Sequence, residues 1–235
     1  MVLKTSVAYR PRTGTTLNGC DKSPVMTAFE TALYWLDYAA VAVFAASGAL
    51  AAARTRQDIV TFGFFAAITG VGGGTMRDLL IGAPVFWVQR PGYIVACLVA
   101  AVGVWIFARR GWRFRALLWL DAVGLAAYAV VGTAKALSLG VHPFSAIIMG
   151  VLTSCFGGVI RDVLAGEPNL LMSREIYVTA ALLSAGVFAG MTLMGADFWL
   201  AALVGFFAGV ALRACAIRYN LRLPGFAQGG GETEY

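Results

Sequence analysis

Residues 70–84 read Gly-Val-Gly-Gly-Gly-Thr-Met-Arg-Asp-Leu-Leu-Ile-Gly-Ala-Pro, and most of them lie in an apolar segment, 59–81, that is long enough to cross a bilayer. Glycine is the weakest ordinary helix former, so the glycines at 72–74 predict that the helix opens or kinks there. Arg77 and Asp78 follow on the next turn. A charged side chain near a bilayer centre costs about 2.5–3.5 kcal/mol, so this pair predicts a protein or water environment and a functional site.

The same pattern occurs a second time in the chain. Gly73-Gly74-Thr75-Met76-Arg77-Asp78 returns as Gly157-Gly158-Val159-Ile160-Arg161-Asp162, at a numbering offset of 157 − 73 = 84 and without a gap. Further matches at this offset pair Trp35, Leu36, Asp37, Leu80, Gly82, Pro84, Arg90 and Tyr93 with Trp119, Leu120, Asp121, Leu164, Gly166, Pro168, Arg174 and Tyr177. Shared hydrophobic composition does not account for matched Asp, Arg, Trp and Pro. We therefore predict an internal duplication that covers roughly residues 35–106 and 119–190.

Composition predicts an integral membrane protein. Of the 235 residues, 60% are hydrophobic and 13% are charged, whereas soluble domains have roughly 25% charged residues. Arginines bunched between apolar runs account for much of the net charge of +6. The charge therefore indicates topology rather than nucleic-acid binding, which needs a basic face on a soluble fold. The four cysteines stand far apart and predict neither a zinc site nor a disulfide framework; they are Cys20, Cys97, Cys155 and Cys215.

Seven apolar segments, each near the roughly 20 residues that span a bilayer, predict an all-α integral membrane fold. Their approximate limits are 31–53, 59–81, 92–108, 116–139, 143–165, 176–194 and 198–217. The first three form repeat one, about 31–108, and the next three form repeat two, about 116–194. The seventh closes the bundle or joins protomers. Residues 1–28 are predicted to be a mobile amino-terminal tail and 220–235 a carboxy-terminal tail, around a single transmembrane domain at 29–219.

The duplication is predicted to be inverted. A repeat of three crossings has an odd number, so its second copy enters the membrane from the opposite side, and the interrupted second and fifth segments then face one another around a transport pathway. One side of the membrane receives Arg54, Arg56, Arg109, Arg110, Arg113, Arg115, Arg174, Arg213, Arg218 and Arg222, while the loops on the other side hold only Arg90. The positive-inside rule makes the arginine-rich side cytoplasmic, with the N-terminus outside and the C-terminus inside. Lys4, Arg10, Arg12 and Lys22 on the outer tail count against this orientation.

The duplicated charges admit two interpretations. Arg77 and Asp78 are adjacent in sequence and about 100° apart around a helix, so they are not expected to face each other. We expect instead that Arg77 approaches Asp162 and that Arg161 approaches Asp78, as two ion pairs across the repeat interface. In the alternative, the charges only hold the bundle together while the glycines allow close packing. Freed carbonyls at a helix break favour cations and a half-helix N-terminus favours anions, so this reasoning leaves the transported charge open.

Three further intramembrane polar residues are candidates for the pathway. Asp37 and Asp121 occupy equivalent positions, near the outer end of the first segment and the inner end of the fourth. Carboxylates at both mouths of a pore suit a cation; alternatively, they satisfy helix dipoles. Lys135 has no basic counterpart in repeat one, where Ala51 stands. It is a candidate gate, responding to voltage or blocking as a tethered cation, or it snorkels to the outer interface.

Two tandem three-helix repeats, each with Gly-Gly-x-x-Arg-Asp in its second helix, plus a seventh helix, resemble the prokaryotic branch of the trimeric intracellular cation (TRIC) channel family over about residues 31–217. The resemblance implies a homotrimer in the bacterial inner membrane, in contact with membrane lipids. Each protomer would hold one hourglass-shaped pore for monovalent cations, chiefly K⁺ with Na⁺, and no cofactor. Phe156 stands where the first copy has Gly72, so the fifth segment is expected to kink less. The family's kink glycines and paired charges carry over to Gly72, Gly73, Gly74, Gly157, Gly158, Arg77, Asp78, Arg161 and Asp162.

Three other functions are considered: a carrier, a structural scaffold and an enzyme. The same bacterial sequences also resemble proteins described as transporters of small amino acids, notably glycine. Such a carrier would alternate access around a closed site and hold a carboxylate at half-helix N-termini. A structural membrane scaffold predicts no continuous polar path. An enzyme is not expected, because no Walker, dinucleotide or HExxH motif is present and His142 is the only histidine.

Overall fold

Helices are the only regular secondary structure in the residues that this computed structural model describes, which are 24–108, 113–166, 176–219 and 221. The predicted all-α class is confirmed. The predicted segments 59–81 and 143–165 coincide with two of the helices. The eight helices of the described ranges are α1 (Pro24–Arg54), α2 (Ile59–Ile81), α3 (Phe86–Gln89), α4 (Gly92–Phe107), α5 (Arg113–Ser138), α6 (Pro143–Ala165), α7 (Val178–Leu193) and α8 (Phe198–Tyr219).

Five of these helices are long and apolar enough to cross a membrane. They are α1 over Trp35–Arg54, α2, α5 over Arg115–Ser138, α6 and α8. Helices α4 and α7 are apolar but shorter, with 16 residues each. Helix α3 has four residues and is absent from the prediction. Helix α1 begins before the predicted first segment, so residues 24–28 of the predicted tail are helical. The rest of that tail, and all of 220–235 except residue 221, lie outside the described residues.

Local sequence explains where α2 and α6 begin and end. Asp58 precedes α2, and its carboxylate accepts a hydrogen bond of 2.9 Å from the Thr61 N–H. This bond satisfies a donor of the first helical turn and lowers the pKa of Asp58. Gly82 and Gly166 end α2 and α6 with φ of 74° and 64°, a left-handed conformation that glycine adopts without strain. The two glycines are repeat equivalents, because 166 − 82 = 84.

Small side chains form the centre of the bundle. Helix α1 packs against α2, α4 and α5, α2 packs against α6, and α5 packs against α6, α7 and α8. Alanines make up much of the buried apolar surface, which lets helix backbones approach closely, the usual basis of helix association in a membrane. The largest fully buried side chains nevertheless include Arg77, Arg161 and Arg213. Because a bilayer core offers no water to such groups, they require partners inside the protein.

Candidate functional site

Two groups of polar side chains lie at equivalent positions of the repeats. In each group an adjacent arginine and aspartate on one helix accompany an aspartate and a tyrosine from two other elements. Each member of the first group has its counterpart in the second at the constant offset of the repeat. The first-repeat cluster comprises Asp37 on α1, Arg77 and Asp78 on α2, and Tyr93 on α4. The second-repeat cluster comprises Asp121 on α5, Arg161 and Asp162 on α6, and Tyr177 immediately before α7.

Each arginine pairs with the aspartate that follows it in sequence. Arg77 Nε donates to Asp78 Oδ1 at 2.9 Å, and Arg161 Nε donates to Asp162 Oδ1 at 2.8 Å. The predicted pairs across the repeat interface, Arg77 with Asp162 and Arg161 with Asp78, are therefore wrong. Adjacent helical positions point about 100° apart, which was the reason to expect no contact between them. The arginine side chain is, however, long enough to turn back to the aspartate that follows it. Burial favours the turn, because it neutralises both charges within one helix.

Arg161 is the centre of a closed ionic network. Its Nη1 donates to Asp121 Oδ1 at 2.6 Å and to Ser47 Oγ at 3.2 Å, while its Nε binds Asp162. The Tyr177 hydroxyl donates to the same Asp121 oxygen at 3.4 Å. Arg161 and Asp121 are both 0% exposed. One guanidinium therefore pairs with two carboxylates away from solvent, through charge-assisted hydrogen bonds.

Asp78 accepts hydrogen bonds from three groups. Lys135 Nζ lies 2.8 Å and 2.9 Å from its two carboxylate oxygens, and the Phe86 N–H donates to Oδ2 at 3.0 Å, in addition to the bond from Arg77. The Phe86 bond attaches the unexpected helix α3 to α2. The Phe86 ring centroid lies 5.9 Å from Arg77 Cζ and 5.7 Å from Lys135 Nζ, within the range of cation–π attraction. Lys135 therefore turns into the bundle, and the snorkelling alternative is wrong.

A cavity of about 810 Å³ opens at the end of the bundle where α3 lies; we call it the α3-side cavity. Asp37, Tyr93, Phe86 and Lys135 are among the residues that line it. The Tyr93 hydroxyl donates to Asp37 Oδ2 at 2.8 Å. The side chain of Lys135 is 31% exposed although its ammonium group binds Asp78. The predicted mouth residue Asp37 and the predicted gating residue Lys135 thus face one space.

Asp121, the other predicted mouth residue, is enclosed. It is 0% exposed and bound by Arg161, so it does not stand at an open mouth in this conformation. Asp37, its repeat equivalent, lines the α3-side cavity instead. The difference follows from the arginines: Arg161 reaches both nearby aspartates, whereas Arg77 binds Asp78, which Lys135 also binds. The two halves of the site are therefore equivalent in sequence and different in geometry.

Helices α2 and α6 run without interruption through their glycines, so the predicted helix breaks are wrong. The glycines bring the two backbones together instead. A Cβ added to Gly73 would overlap the carbonyl oxygen of Thr153, and one added to Gly157 would lie 2.7 Å from the carbonyl oxygen of Thr69. Thr69 and Thr153 are themselves repeat equivalents, because 153 − 69 = 84. Close packing leaves both helices continuous, whereas an opened helix would leave backbone groups without partners in a bilayer.

The remaining candidate glycines make room for side chains. A Cβ on Gly74 would lie 2.5 Å from the Phe86 ring, and one on Gly158 would lie 2.5 Å from the Tyr177 hydroxyl. At Gly72 an added Cβ would lie 3.0 Å from an isoleucine side chain of α6. Gly74 and Gly158 therefore give Phe86 and Tyr177 the positions from which they reach Asp78 and Asp121.

We expect Gly73→Ala to destabilise the protein by about 1–3 kcal/mol, although alanine is the better helix former. The new methyl group overlaps a backbone carbonyl oxygen of α6, which moves only if the helices separate. The control Gly103→Ala lies on α4, where an added Cβ meets nothing within 4 Å, and it should stabilise by about 0.5–1 kcal/mol. Thermal unfolding of the purified variants measures both. Equal melting temperatures for the two variants would contradict this packing role.

Several residues of the site were not singled out from the sequence. Tyr93 and Tyr177 were noted only as repeat matches. A polar residue that is present in both copies could have indicated that they belong to the site. Ser47 and Phe86 gave no such signal. Arg213 was assigned to the cytoplasmic edge, but it is 0% exposed and its Cζ lies 5.2 Å from the centroid of the Tyr177 ring. It belongs to the interior beside the second-repeat cluster.

The described residues bring together no group of three or more His, Cys, Asp or Glu side chains that could hold a metal ion. Cys97 and Cys155 are buried thiols, and Cys215 is an exposed one. Cys20 lies outside the described residues.

Known proteins are similar to this chain in sequence and in the arrangement of their helices. The glycine transporter family model matches residues 34–109 and 118–193, and the starts of these two segments differ by the offset of the repeat, 118 − 34 = 84. The UPF0126 membrane protein of Vibrio cholerae serotype O1 is 40% identical over 209 residues, 86% of this chain and 86% of the relative. The UPF0126 inner membrane protein YadS of Escherichia coli K12 is 38% identical over 199 residues, 83% of this chain and 96% of the relative. A solved structure of the TRIC trimeric intracellular cation channel orthologue from Rhodobacter sphaeroides is 46% identical, with a TM-score of 0.78, and covers 81% of this chain and 100% of that one.

Proposed function

The chain belongs to the family of the trimeric intracellular cation (TRIC) channels, which the glycine transporter model also describes, and from that premise we propose that it is a channel for K⁺ and Na⁺. One observation carries the proposal. The α3-side cavity reaches from the surface of a strongly apolar bundle to Asp37 and Lys135, and Lys135 is bonded to the buried Asp78. Ionisable groups inside a membrane-spanning bundle generally mark an ion or substrate pathway.

We propose that the pore continues from this cavity past Arg77 and Asp78, along α2 and α6, toward the second-repeat cluster. A pair of reciprocal contacts supports a two-fold relation between the repeats around such a path. Gly73 meets Thr153 as Gly157 meets Thr69, and a two-fold axis produces every contact twice with the roles exchanged. The five long helices together with α4 and α7 would then make the seven crossings of the proposed topology.

The α3 side is proposed to face the outside of the cell. Arg54, Arg115 and Arg218 lie at the ends of α1, α5 and α8 that point away from α3, and the positive-inside rule makes that face cytoplasmic. Arg213, by contrast, is buried and does not mark the cytoplasmic face. The proposed location is the bacterial inner membrane, because the Escherichia coli relative is named an inner membrane protein.

A homotrimer with one pore in each protomer is the proposed assembly. The Rhodobacter sphaeroides relative is described as trimeric. Both clusters and the α3-side cavity are formed within a single chain, so each copy would carry its own pathway. The outer surfaces of α4 and α8 expose large apolar side chains such as Val99, Phe107 and Phe207. Lipid tails or neighbouring protomers would cover these surfaces in the membrane.

Recording of the purified protein in a planar bilayer tests the channel proposal. We expect unitary currents in KCl and a reversal potential, in a KCl gradient, that lies toward the equilibrium potential of K⁺. Exchanging K⁺ for N-methyl-D-glucamine on one side should abolish the current carried from that side. Protein-free bilayers exposed to the same detergent serve as the control. A reversal potential at the Cl⁻ equilibrium value, or silence in both salts, would contradict a cation channel.

A carrier for a small zwitterion such as glycine is the second candidate. Asp37, a carboxylate, and Lys135, an ammonium group, both line the α3-side cavity, and a zwitterion has one group for each. The Lys135 ammonium group would have to exchange Asp78 for the carboxylate of the ligand. A carrier would accumulate radiolabelled glycine in vesicles without unitary currents. Uptake that saturates with glycine and is electrically silent would favour this candidate over the channel.

A further inference from the structure

Arg56 adopts a backbone conformation that is unfavourable for a residue with a side chain. It lies in the turn between α1 and α2 with a φ of 56°, and it is the one residue other than glycine with a positive φ in the described ranges. This left-handed region is disfavoured for an L-residue because Cβ crowds the following carbonyl oxygen. Residues held in such conformations cluster at functional sites, so the Arg56 side chain is a candidate for a specific role.

The second repeat has glycine at the equivalent position. Gly140 follows α5 with a φ of 78°, and 140 − 56 = 84. In both turns the next residue donates its N–H to a carbonyl oxygen near the end of the preceding helix, Gln57 to Ala52 and Val141 to Ala136, each at 3.1 Å. Glycine is therefore the residue that fits this helix end without strain, and arginine takes the same conformation at a cost in backbone free energy.

A cavity of about 330 Å³ lies beside this turn, at the end of the bundle that points away from α3; we call it the turn-side cavity. Arg56 and Gln57 line it from the turn, and Trp105 lines it from the last part of α4. The Trp105 ring packs edge-on against Phe62, with centroids 4.8 Å apart. The other lining residues in the described ranges are Ala53, Val104 and Ala108. One side of the cavity is therefore cationic and polar, and the rest is apolar.

The wall of the turn-side cavity carries positive charge without a matching negative charge. None of the described residues that line it is acidic. The nearest carboxylate along the chain, Asp58, accepts from the Thr61 N–H at 2.9 Å and from the Thr61 hydroxyl at 3.2 Å. Arg56 takes part in none of the ion pairs found in the described ranges. A general need for positive charge at this membrane edge does not explain the strained position, because Arg54 meets it from within α1.

We propose that the turn-side cavity binds the phosphate group of an anionic phospholipid from the adjacent leaflet of the membrane. The planar guanidinium of Arg56 holds two phosphate oxygens, and the Gln57 amide donates to a third. Trp105 is 49% exposed and lies at the level of the headgroups, where tryptophan is common in membrane proteins. Arginine in place of glycine at this turn is thus explained by the ligand that it holds.

A phosphate carried by a lipid fits this position better than a free phosphate ion. The cavity lies where α1 ends and α2 begins, and both helices are long and apolar enough to cross a membrane. Its apolar walls and the 78% exposed Val60 at the start of α2 offer contacts to the glycerol and the tails of a lipid, whereas a free phosphate has no apolar part. The inference involves no passage of ions and goes beyond the channel proposal.

Native mass spectrometry of the full chain in detergent, titrated with dioleoylphosphatidylglycerol, tests the site. We expect the wild type to bind this lipid about fivefold more tightly than dioleoylphosphatidylcholine, whose headgroup has no net charge. Arg56→Gln should lower the affinity for phosphatidylglycerol about tenfold, the usual effect of losing a hydrogen bond to a charged group. The matched control Arg115→Gln removes the same charge from an exposed position on the same face and should leave the affinity within about twofold.

Arg56→Gly separates loss of the ligand from loss of the fold. Glycine adopts the φ of this turn without strain, so the variant should melt at or above the wild-type temperature in lipid-free detergent. Phosphatidylglycerol should then raise the melting temperature of the wild type and leave that of the variant almost unchanged, because a ligand stabilises only the protein that binds it. An equal rise in both proteins would overturn the inference.

Three other results would also contradict the site. Equal affinities of the wild type and Arg56→Gln would exclude the guanidinium as the ligand-binding group. An equal loss in Arg115→Gln would show attraction by surface charge in general. Displacement of phosphatidylglycerol by the same concentration of inorganic phosphate would assign the cavity to a soluble anion. Binding that Arg56→Gln loses and Arg115→Gln keeps supports the lipid site even if bilayer recordings show no current, in which case the channel proposal alone fails.

Discussion

Arg161→Met is expected to lower the free energy of unfolding by about 3–5 kcal/mol, the usual loss when one partner of a buried ion pair is removed. The substitution keeps a long side chain but deletes the guanidinium that binds Asp121 at 2.6 Å and Asp162 at 2.8 Å. Asp121 is 0% exposed and Asp162 is 6% exposed. Both carboxylates would thus lose the contact with this cation in the interior, and titration with denaturant in mixed micelles measures the loss.

Arg77 is the repeat equivalent of Arg161, and its substitution gives a matched comparison of the loss in stability. Arg77→Met removes the same group from the other half, but Asp78 keeps Lys135 and the Phe86 N–H. We expect a smaller loss, about 1.5–3 kcal/mol, as for one hydrogen bond to a charged group. Arg218→Met, at an exposed position of α8, should change stability by no more than about 0.5 kcal/mol. If Arg77→Met were as harmful as Arg161→Met, the energetic difference between the two clusters would be refuted.

If the chain conducts K⁺ as proposed, Lys135→Met is expected to increase the unitary K⁺ current about threefold to tenfold. Lys135 places a fixed positive charge on the wall of the α3-side cavity, with 31% of its side chain exposed. At an effective dielectric constant of about 20, a unit charge about 10 Å from a permeating cation raises its energy by roughly 1.7 kcal/mol. Since about 1.4 kcal/mol corresponds to a factor of ten in rate, partial screening by salt leaves the expected range.

Unitary conductance in planar bilayers measures this effect, and Lys135→Arg is the control because it keeps the charge. The current–voltage relation should also become more symmetric in Lys135→Met, since repeat one has Ala51 at the equivalent position and so no matching charge. Asp78 stays neutralised by Arg77 in the variant, so the fold should persist. A conductance equal to that of the wild type would show that Lys135 lies away from the path of the ions.

The helices could be predicted because they are encoded locally, and the duplication because it can be seen by comparing the two halves of the sequence. The limits of α2 and α6 follow from apolar length and from Gly82 and Gly166, which end the helices in a left-handed conformation. The constant offset between the two copies is visible in the sequence. Helix α3 was not predicted because it has only four residues and is held by a hydrogen bond from the Phe86 N–H to Asp78. No local sequence pattern indicates this contact.

The role of the glycines in α2 and α6 could not be predicted from local sequence. A run of glycines weakens a helix in isolation, and it also removes the side chains that keep two helices apart. Gly73 and Gly157 take the second role because each faces a backbone carbonyl of the opposite helix. Which role a glycine takes depends on its neighbour in space, and that neighbour lies about one repeat away along the chain.

The sequence by itself determined that this protein is a helical membrane protein with a doubled set of buried charges, because length, hydropathy and repetition are properties of the chain alone. Only the tertiary structure decided how those charges combine. Arg161 joins Asp121 and Asp162, whereas Asp78 takes Arg77 and Lys135 and leaves Asp37 facing a cavity. The physical reason is that ion-pair energy depends on distances of a few ångströms in a dry interior, and packing among five or more helices sets those distances.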